Sequence, residues 1–391
     1  MSENGSNNGA RNGNGGWTPA PASPEAPVIA FYAPMKAPGH PTPSGDRQVA
    51  RLLWRALEIA GFAPVLASEF RSWRAAPDAA ALDAARADGM AEAKRLIEHY
   101  DRAPAAERPK LWFTYHLYYK APDFLGPRVA ALHGMPYVVA EASRAAKRLE
   151  GDWAEYAKDA EAAIDLADVI LCKTERDRPA LEAGRVGDQR IEALPPFLDH
   201  GPAPAPRPVA TPPRLLSVAM MRPGDKLRSY ETLAAALSRL EDLDWTLEIV
   251  GDGPERAAVE ALFAPFGDRV TLAGAIQDPA LLRQRYEQAD LFLWPGVGEA
   301  YGMVYLEAQA AGTPVVAEDR PGVRDVAHAG ALTPPDDPAA YSDAIRELLA
   351  DPEALAGLRR KARFEIESRH GLASAAEALR GVLSPLLPTT P

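Results

Sequence analysis

A chain of 391 residues, 47% hydrophobic and 25% charged, has ample material for a large core, and its length suggests about two or three domains. A net charge of −11 with no basic block argues against nucleic-acid binding. The one cysteine, Cys172, excludes an internal disulfide and a thiolate zinc cluster, and no apolar run is as long as a membrane span.

Residues 1–26 are rich in Gly, Asn, Pro and Ser and read as a disordered tail. They contain no apolar segment of the kind a secretory signal needs, so a cytoplasmic location is expected. From 27 to 200, short apolar runs alternate with helical patterns. PVIAFYA, APVLA, KLWFTYH, PYVVAEA, DVILCKT and RIEAL read as strands. Between the first two, Val49, Leu52, Leu53, Ala56, Leu57 and Ala60 follow helical spacing, with Ser44 as cap and Gly61 as stop. GPAPAPRPVATPP, residues 201–213, is too rich in proline for a helix or sheet interior and reads as a semi-rigid linker. From 214 to 371, RLLSVAM, WTLEIVG, RVTLAG, DLFLWP and TPVVAE read as strands, with a weaker one in GALTP. The chain then turns helical, ending in a last helix within 372–391. Repeated βα units predict an α/β protein with two doubly wound Rossmann-like domains, each a parallel sheet covered by helices. Ligands of such folds sit at the carboxyl ends of the strands, so a cleft between the halves is the expected site.

The stretch 298–316, GEAYGMVYLEAQAAGTPVV, raises a physical problem. Its middle is apolar around the helical circumference, as in a buried helix, yet Glu307 lies inside it and Glu299 just before it. Burying an unpaired charge costs several kcal/mol. An ionised carboxylate is acceptor-only, and two neighbouring hydroxyls of a ribose or hexose can donate to its two oxygens. Such bonds are worth roughly 1.5–3 kcal/mol each. The glycines at 296, 298 and 302 allow close approach, and the helix start offers free N–H groups. The plain alternative is a pair of solvated glutamates on a fraying helix.

Glu299 and Glu307, with seven residues between them in EAYGMVYLEAQAAGTPVVA, resemble the E-x7-E element of the family 4 (group 1) retaining glycosyltransferases of the GT-B fold. VGDGP at 250–254, RVTLAGAI and ADLFLWP look like successive strand ends of the same domain. The resemblance covers nearly all of 214–350 and is looser before it, in PMKAPGHPTPSGDRQVARLL and ALPPFLD. It implies a nucleoside-diphosphate sugar as donor substrate, no other cofactor, transfer with retention, and a last helix that crosses back to the first domain. Glu307 then binds the donor ribose and Glu299 the transferred sugar. The backbone of Ala300, Tyr301, Gly302 and Met303 serves the sugar and phosphates, and Gly251 and Ile276 belong to the donor-binding strand ends.

A departing diphosphate needs stabilising charge. Asp242-Leu243-Asp244 precedes a strand instead of following one, so it reads as a surface loop and no metal is expected. Fixed cations are the other solution. Arg222 and Lys226, in MMRPGDK after the strand RLLSVAM, stand where the resembled family keeps an Arg and a Lys. The gap between them is about one residue short, which leaves Arg228 as a second choice. Gly45, in PSGDRQV, is either part of a loop closing over the diphosphate or the start of an ordinary capped helix, with Asp46 and Arg47 beside it. His116 ends a strand on the acceptor side, and where the family often has another histidine this chain has Glu141 and Ser143. The acceptor class is open among glycan, lipid and small molecule, as is the oligomeric state. Arg144, Lys147 and Arg148 with Trp153 read either as a peripheral membrane patch or as a solvated helix face.

Three rivals remain at this level. GVGEAYG with Glu318 twenty residues past Gly298 mimics the dinucleotide fingerprint of an NAD-type oxidoreductase. Against it, the third glycine is one residue late and Glu299 repels a pyrophosphate. A sugar-nucleotide epimerase of the same fold and a catalytically silent partner of another transferase are the other two.

Overall fold

The computed structural model describes residues 25–42 and 44–387. All but the last two residues of the expected tail, and the final four of the chain, lie outside the described residues. The chain divides into two compact units: one holds residues up to Lys173, Asp177–Leu194 and the residues from Ala375 on; the other holds Thr174–Arg176 and Pro195–Ser374.

The first unit has strands β1 (Val28–Tyr32), β2 (Ala63–Ser68), β3 (Leu111–Leu117), β4 (Tyr137–Ala142), β5 (Val169–Cys172) and β6 (Arg190–Ala193). They form one parallel sheet in the order β2-β1-β3-β4-β5-β6. Its helices are α1 (Gly45–Ile59), α2 (Ala79–Arg102), α3 (Gly126–His133), α4 (Ala154–Asp165) and α5 (Arg178–Ala183). Ser44 caps α1 by accepting from the Arg47 N–H at 3.2 Å. Helix α2 has no counterpart in the sequence reading. Its inner stripe is Leu82, Ala85, Gly89, Ala93, Leu96 and Tyr100, mostly small side chains with little hydropathy contrast to their neighbours. Asp78 caps it through the Ala81 N–H.

The second unit has β7 (Arg214–Val218), β8 (Thr246–Val250), β9 (Val270–Gly274), β10 (Leu291–Leu293), β11 (Val315–Glu318) and β12 (Gly330–Thr333). Its parallel order is β12-β11-β10-β7-β8-β9. Helices α6 (Asp225–Leu237), α7 (Arg256–Phe263), α8 (Pro279–Gln288), α9 (Met303–Ala310), α10 (Pro338–Ala350) and α11 (Pro352–Glu365) belong to it. The order jumps from β10 to β7, so the chain reverses its direction of travel there. Rossmann-type sheets place ligands at that point, beyond the strand carboxyl ends. The proline-rich segment is anchored by Arg207, whose Nη1 lies 2.8 Å from Asp290 Oδ1. The Asp290 carboxylate is 0% exposed and also takes Arg359 Nη2 at 2.6 Å and the Arg214 N–H at 2.8 Å.

The last helix, α12 (Leu372–Leu383), joins the first unit from Ala375 onward. Arg380 donates to the carbonyls of Ile59 and Ala60, both at 2.9 Å, and so satisfies acceptors left open at the end of α1.

Candidate functional site

At the switch point of the second unit, Lys226 and Glu299 meet. Lys226 sits in the first turn of α6, just past β7. Its ammonium pairs with Glu299 Oε1. The same oxygen accepts from Trp294 Nε1 at 3.0 Å. A Cβ at Gly298 would collide with the Asp225 carboxylate, so the loop closes onto α6 only with glycine there. Arg222 is exposed and has no ion-pair partner among the described residues. Arg228 faces Asp225, with Nη2 2.5 Å from Oδ1, so Lys226 is the cation that stands with Glu299.

Helix α9 starts at Met303, because Gly302 adopts φ +83° and breaks the helix there. A Cβ on Gly302 would lie 2.7 Å from the Tyr305 ring. No side chain caps this end, which leaves the first N–H groups for a ligand. Tyr305, Leu306, Ala308, Gln309 and Ala310 are buried, and Glu307 is half-buried among them. Tyr286 from α8 donates to Glu307 Oε2 at 3.0 Å. Burial raises the Glu307 carboxyl above the usual range, and the Tyr286 bond partly opposes the rise.

Glu299 Oε1 and Glu307 Oε2 accept bonds from within the protein, and among the described residues the other oxygen of each acid accepts none, so each acid presents one unengaged oxygen. Gly251 follows β8, where its N–H donates to the Gly274 carbonyl at 2.9 Å, and Ile276 follows β9 and packs partly on the core.

In the first unit, His116 and Glu141 lie at the carboxyl ends of the neighbouring strands β3 and β4. Both have left-handed backbones, φ +64° and +62°. Such conformations cost a non-glycine residue on the order of 1–3 kcal/mol each and persist where the surroundings enforce them. His116 Nδ1 lies 3.1 Å from Asp46 Oδ1, and its ring stacks on Tyr118 at 4.7 Å. The buried Lys173 ammonium lies 2.8 Å from Glu141 Oε2. Burial pulls the His116 pKa down, but Glu141 and Asp46 outweigh it and the net shift is upward. Burial likewise pushes Glu141 up, and Lys173 and His116 bring it below the usual range. Gly45, the first residue of α1, is exposed, and Arg47 Nη1 bonds the His40 carbonyl at 2.8 Å.

Of the four residues read as a membrane patch or a solvated face, Lys147 is exposed while Arg144 and Trp153 are turned to other partners. Arg144 turns inward to pair with Glu161 and Asp165, and Trp153 is only 9% exposed, packed edge-on against Tyr119 and Tyr156. Asp242 is tied to Arg346 at 2.6 Å, and among the described residues no group of three His, Cys, Asp or Glu could hold a metal. No helix of the described residues is long and apolar enough to cross a membrane.

Residues 212–351 match the sequence family described as glycosyl transferases group 1. They form a group 1 glycosyl transferase domain. The D-inositol 3-phosphate glycosyltransferase of Segniliparus rotundus is 34% identical over 242 residues, 51% of this chain and 49% of that protein. The sulfoquinovosyl transferase SQD2 of Arabidopsis thaliana is 32% identical over 146 residues, 36% of this chain and 28% of that protein. The matches thus span about half or less of the relatives' length. In fold, sucrose-phosphate synthase from Thermosynechococcus elongatus superposes with TM-score 0.64 at 20% identity, covering 92% of this chain and 99% of that one. Anabaena Alr3699/HepE, solved with UDP, gives 0.66 at 14%, covering 92% and 100%. The fold is GT-B, built of two Rossmann-like units.

Within the group 1 domain the oxidoreductase fingerprint fails on chemistry. Glu318, its ribose-binding acid, is fully buried and already engaged. One oxygen holds Arg320 at 2.6 Å and the other the Asp336 N–H at 2.7 Å. Trp294 and Tyr286 are site residues that the sequence reading missed. Both lie in segments read only as strand end or helix, and an aromatic residue at a strand's carboxyl end was the available signal for Trp294. Lys173, in the first unit, was hidden the same way inside DVILCKT.

Proposed function

We propose that this protein is a metal-independent retaining glycosyltransferase, acting on a nucleoside-diphosphate sugar bound by its group 1 domain. The observation that carries the reading is the arrangement at the switch point. Glu299, in the loop before α9, pairs with Lys226, and Glu307 lies in the middle of that helix; among the described residues each acid has one oxygen without a bond, and Arg222, in the loop after β7, is exposed and without an ion-pair partner. Hydroxyl groups satisfy the acids and a diphosphate satisfies the cations.

In the reaction the acceptor oxygen bonds to the anomeric carbon as the bond from that carbon to the diphosphate oxygen breaks. The electron pair leaves with the diphosphate, and the acceptor proton passes to it. Attack and departure occur on the same face, through an oxocarbenium-like state, so configuration is retained. Arg222 and Lys226 stabilise the growing negative charge. Glu299 holds the sugar and Glu307 the ribose. The first unit takes the acceptor, with His116 donating to a hydroxyl, its protonated form favoured by Glu141 and Asp46. The site is proposed to work in the cytoplasm, with glycan, lipid and small molecule all open as acceptor classes.

The test is turnover of nucleotide sugars with excess EDTA present, with the product's anomeric configuration read by NMR. The expected result is undiminished turnover and a product of the donor's configuration. Loss of turnover in EDTA, or an inverted product, contradicts the proposal.

A further inference from the structure

Glu299 Oε1 has two donors of very different character. Trp294 ends the strand segment begun by β10, and its side chain is fully buried. Its ring meets Tyr230 edge-on at 5.0 Å, its backbone N–H donates to the Val316 carbonyl at 3.1 Å, and its backbone carbonyl accepts from the Tyr305 hydroxyl at 3.0 Å. The indole is therefore locked in place. Lys226, the second donor, is a quarter exposed on a flexible four-carbon stem, with Nζ 5.4 Å from the Trp294 ring centroid.

On the proposed donor reading, on which this inference rests, Lys226 has a second partner. A diphosphate carries more negative charge than a carboxylate and draws the ammonium toward itself. Glu299 then loses one of its two donors, at the moment it must hold the sugar. The locked indole is the donor that stays. We infer that Trp294 is a positioning residue: its Nε1–H fixes Glu299 Oε1 in the donor-bound protein and so aims Oε2 at one sugar hydroxyl. Lys226 is the exchangeable partner, released from Glu299 when the diphosphate arrives. Trp294 thus sets how strongly the site prefers a nucleotide sugar to the bare nucleotide.

The experiment is calorimetric titration of the full chain with UDP and UDP-glucose, and with GDP and GDP-mannose. The quantity read is the ratio of nucleotide Kd to nucleotide-sugar Kd. Trp294→Phe keeps the ring against Tyr230 and deletes only the N–H. It is expected to leave the nucleotide Kd within about twofold while the ratio falls roughly tenfold, the scale of one bond to a charged group. The double variant Trp294→Phe/Glu299→Ala should fall no further than Glu299→Ala alone, since the indole acts only through Glu299. Lys226→Ala should weaken nucleotide and nucleotide sugar alike and keep the ratio. An unchanged ratio in Trp294→Phe beside a collapsed one in Glu299→Ala overturns the inference and leaves the donor reading standing. An unchanged ratio in Glu299→Ala overturns the donor reading of Glu299 itself. If Trp294→Phe binds no nucleotide, the indole 15N–1H spectrum of protein that keeps Trp294 decides. One signal must move on Glu299→Ala and again on adding the nucleotide sugar, and its absence overturns the inference.

Discussion

Tyr286 and Glu307 meet across 3.0 Å, phenol to carboxylate, and so join the last turn of α8 to the middle of α9. The phenol is deeply buried, which raises its pKa well above the ordinary value, with the Glu307 charge adding to the rise. It therefore donates at any working pH. Tyr286→Phe removes that donor and little volume. Nucleotide affinity should fall by about 0.5–1.5 kcal/mol, roughly 2- to 12-fold, measured by calorimetry. An unchanged affinity would separate Tyr286 from the binding role of Glu307.

Glu307 and Arg222 should fail in different ways. Glu307→Ala deletes a ground-state contact and should raise the nucleotide Kd by roughly 10- to 100-fold, the range of one charge-assisted bond. Arg222→Ala removes charge needed as the diphosphate departs. Turnover should drop on the order of 10²- to 10³-fold with a much smaller change in donor KM. Steady-state kinetics on both variants reads the contrast.

Asp290 is the strongest structural commitment in the second unit. Its carboxylate is 0% exposed and binds Arg207 and Arg359 together. Asp290→Ala leaves two cations around a hole, and about 3–5 kcal/mol of stability should be lost. Thermal unfolding should show a clearly lower Tm, with the proline-rich segment the first to gain amide exchange.

His370 gives the stability a defined pH slope. Its Nδ1 donates to the Pro196 carbonyl at 2.6 Å, and its Nε2 lies 3.0 Å from His328 Nε2. Burial, with lesser contributions from His328 and Arg369, lowers its pKa to about 4. The unfolded chain, with histidine near 6.5, binds the proton first as pH falls. The contribution is thus complete above about 6.5 and is lost as pH drops toward 4, with a slope of up to about 1.4 kcal/mol per pH unit. Denaturant melts between pH 6.5 and 5 should show a shallower slope in His370→Gln.

Much of the architecture was legible because each strand repeats one pattern. PVIAFYA, KLWFTYH and DVILCKT are short apolar runs bounded by breakers, and each forms a parallel strand. Helix α2 was not legible, since an alanine-rich helix packs through small side chains that carry little hydropathy signal. At the site, spacing placed Glu299, Glu307, Arg222 and Lys226 at strand ends or on the following helix. Spacing could not say which oxygen of each acid is engaged, because that depends on Trp294 and Tyr286, which come from other elements. It also could not show Arg144 turning inward to Glu161 and Asp165, a pairing across seventeen and twenty-one residues.

The central claim is that α9 and the loop after β7 hold a nucleoside-diphosphate sugar. Thermal shift of the full chain in EDTA, against a panel of UDP- and GDP-sugars, tests it most directly. A rise in Tm with at least one of them is expected, largely lost in Glu307→Ala. No rise with any member of the panel, or a rise equally large in Glu307→Ala, contradicts it.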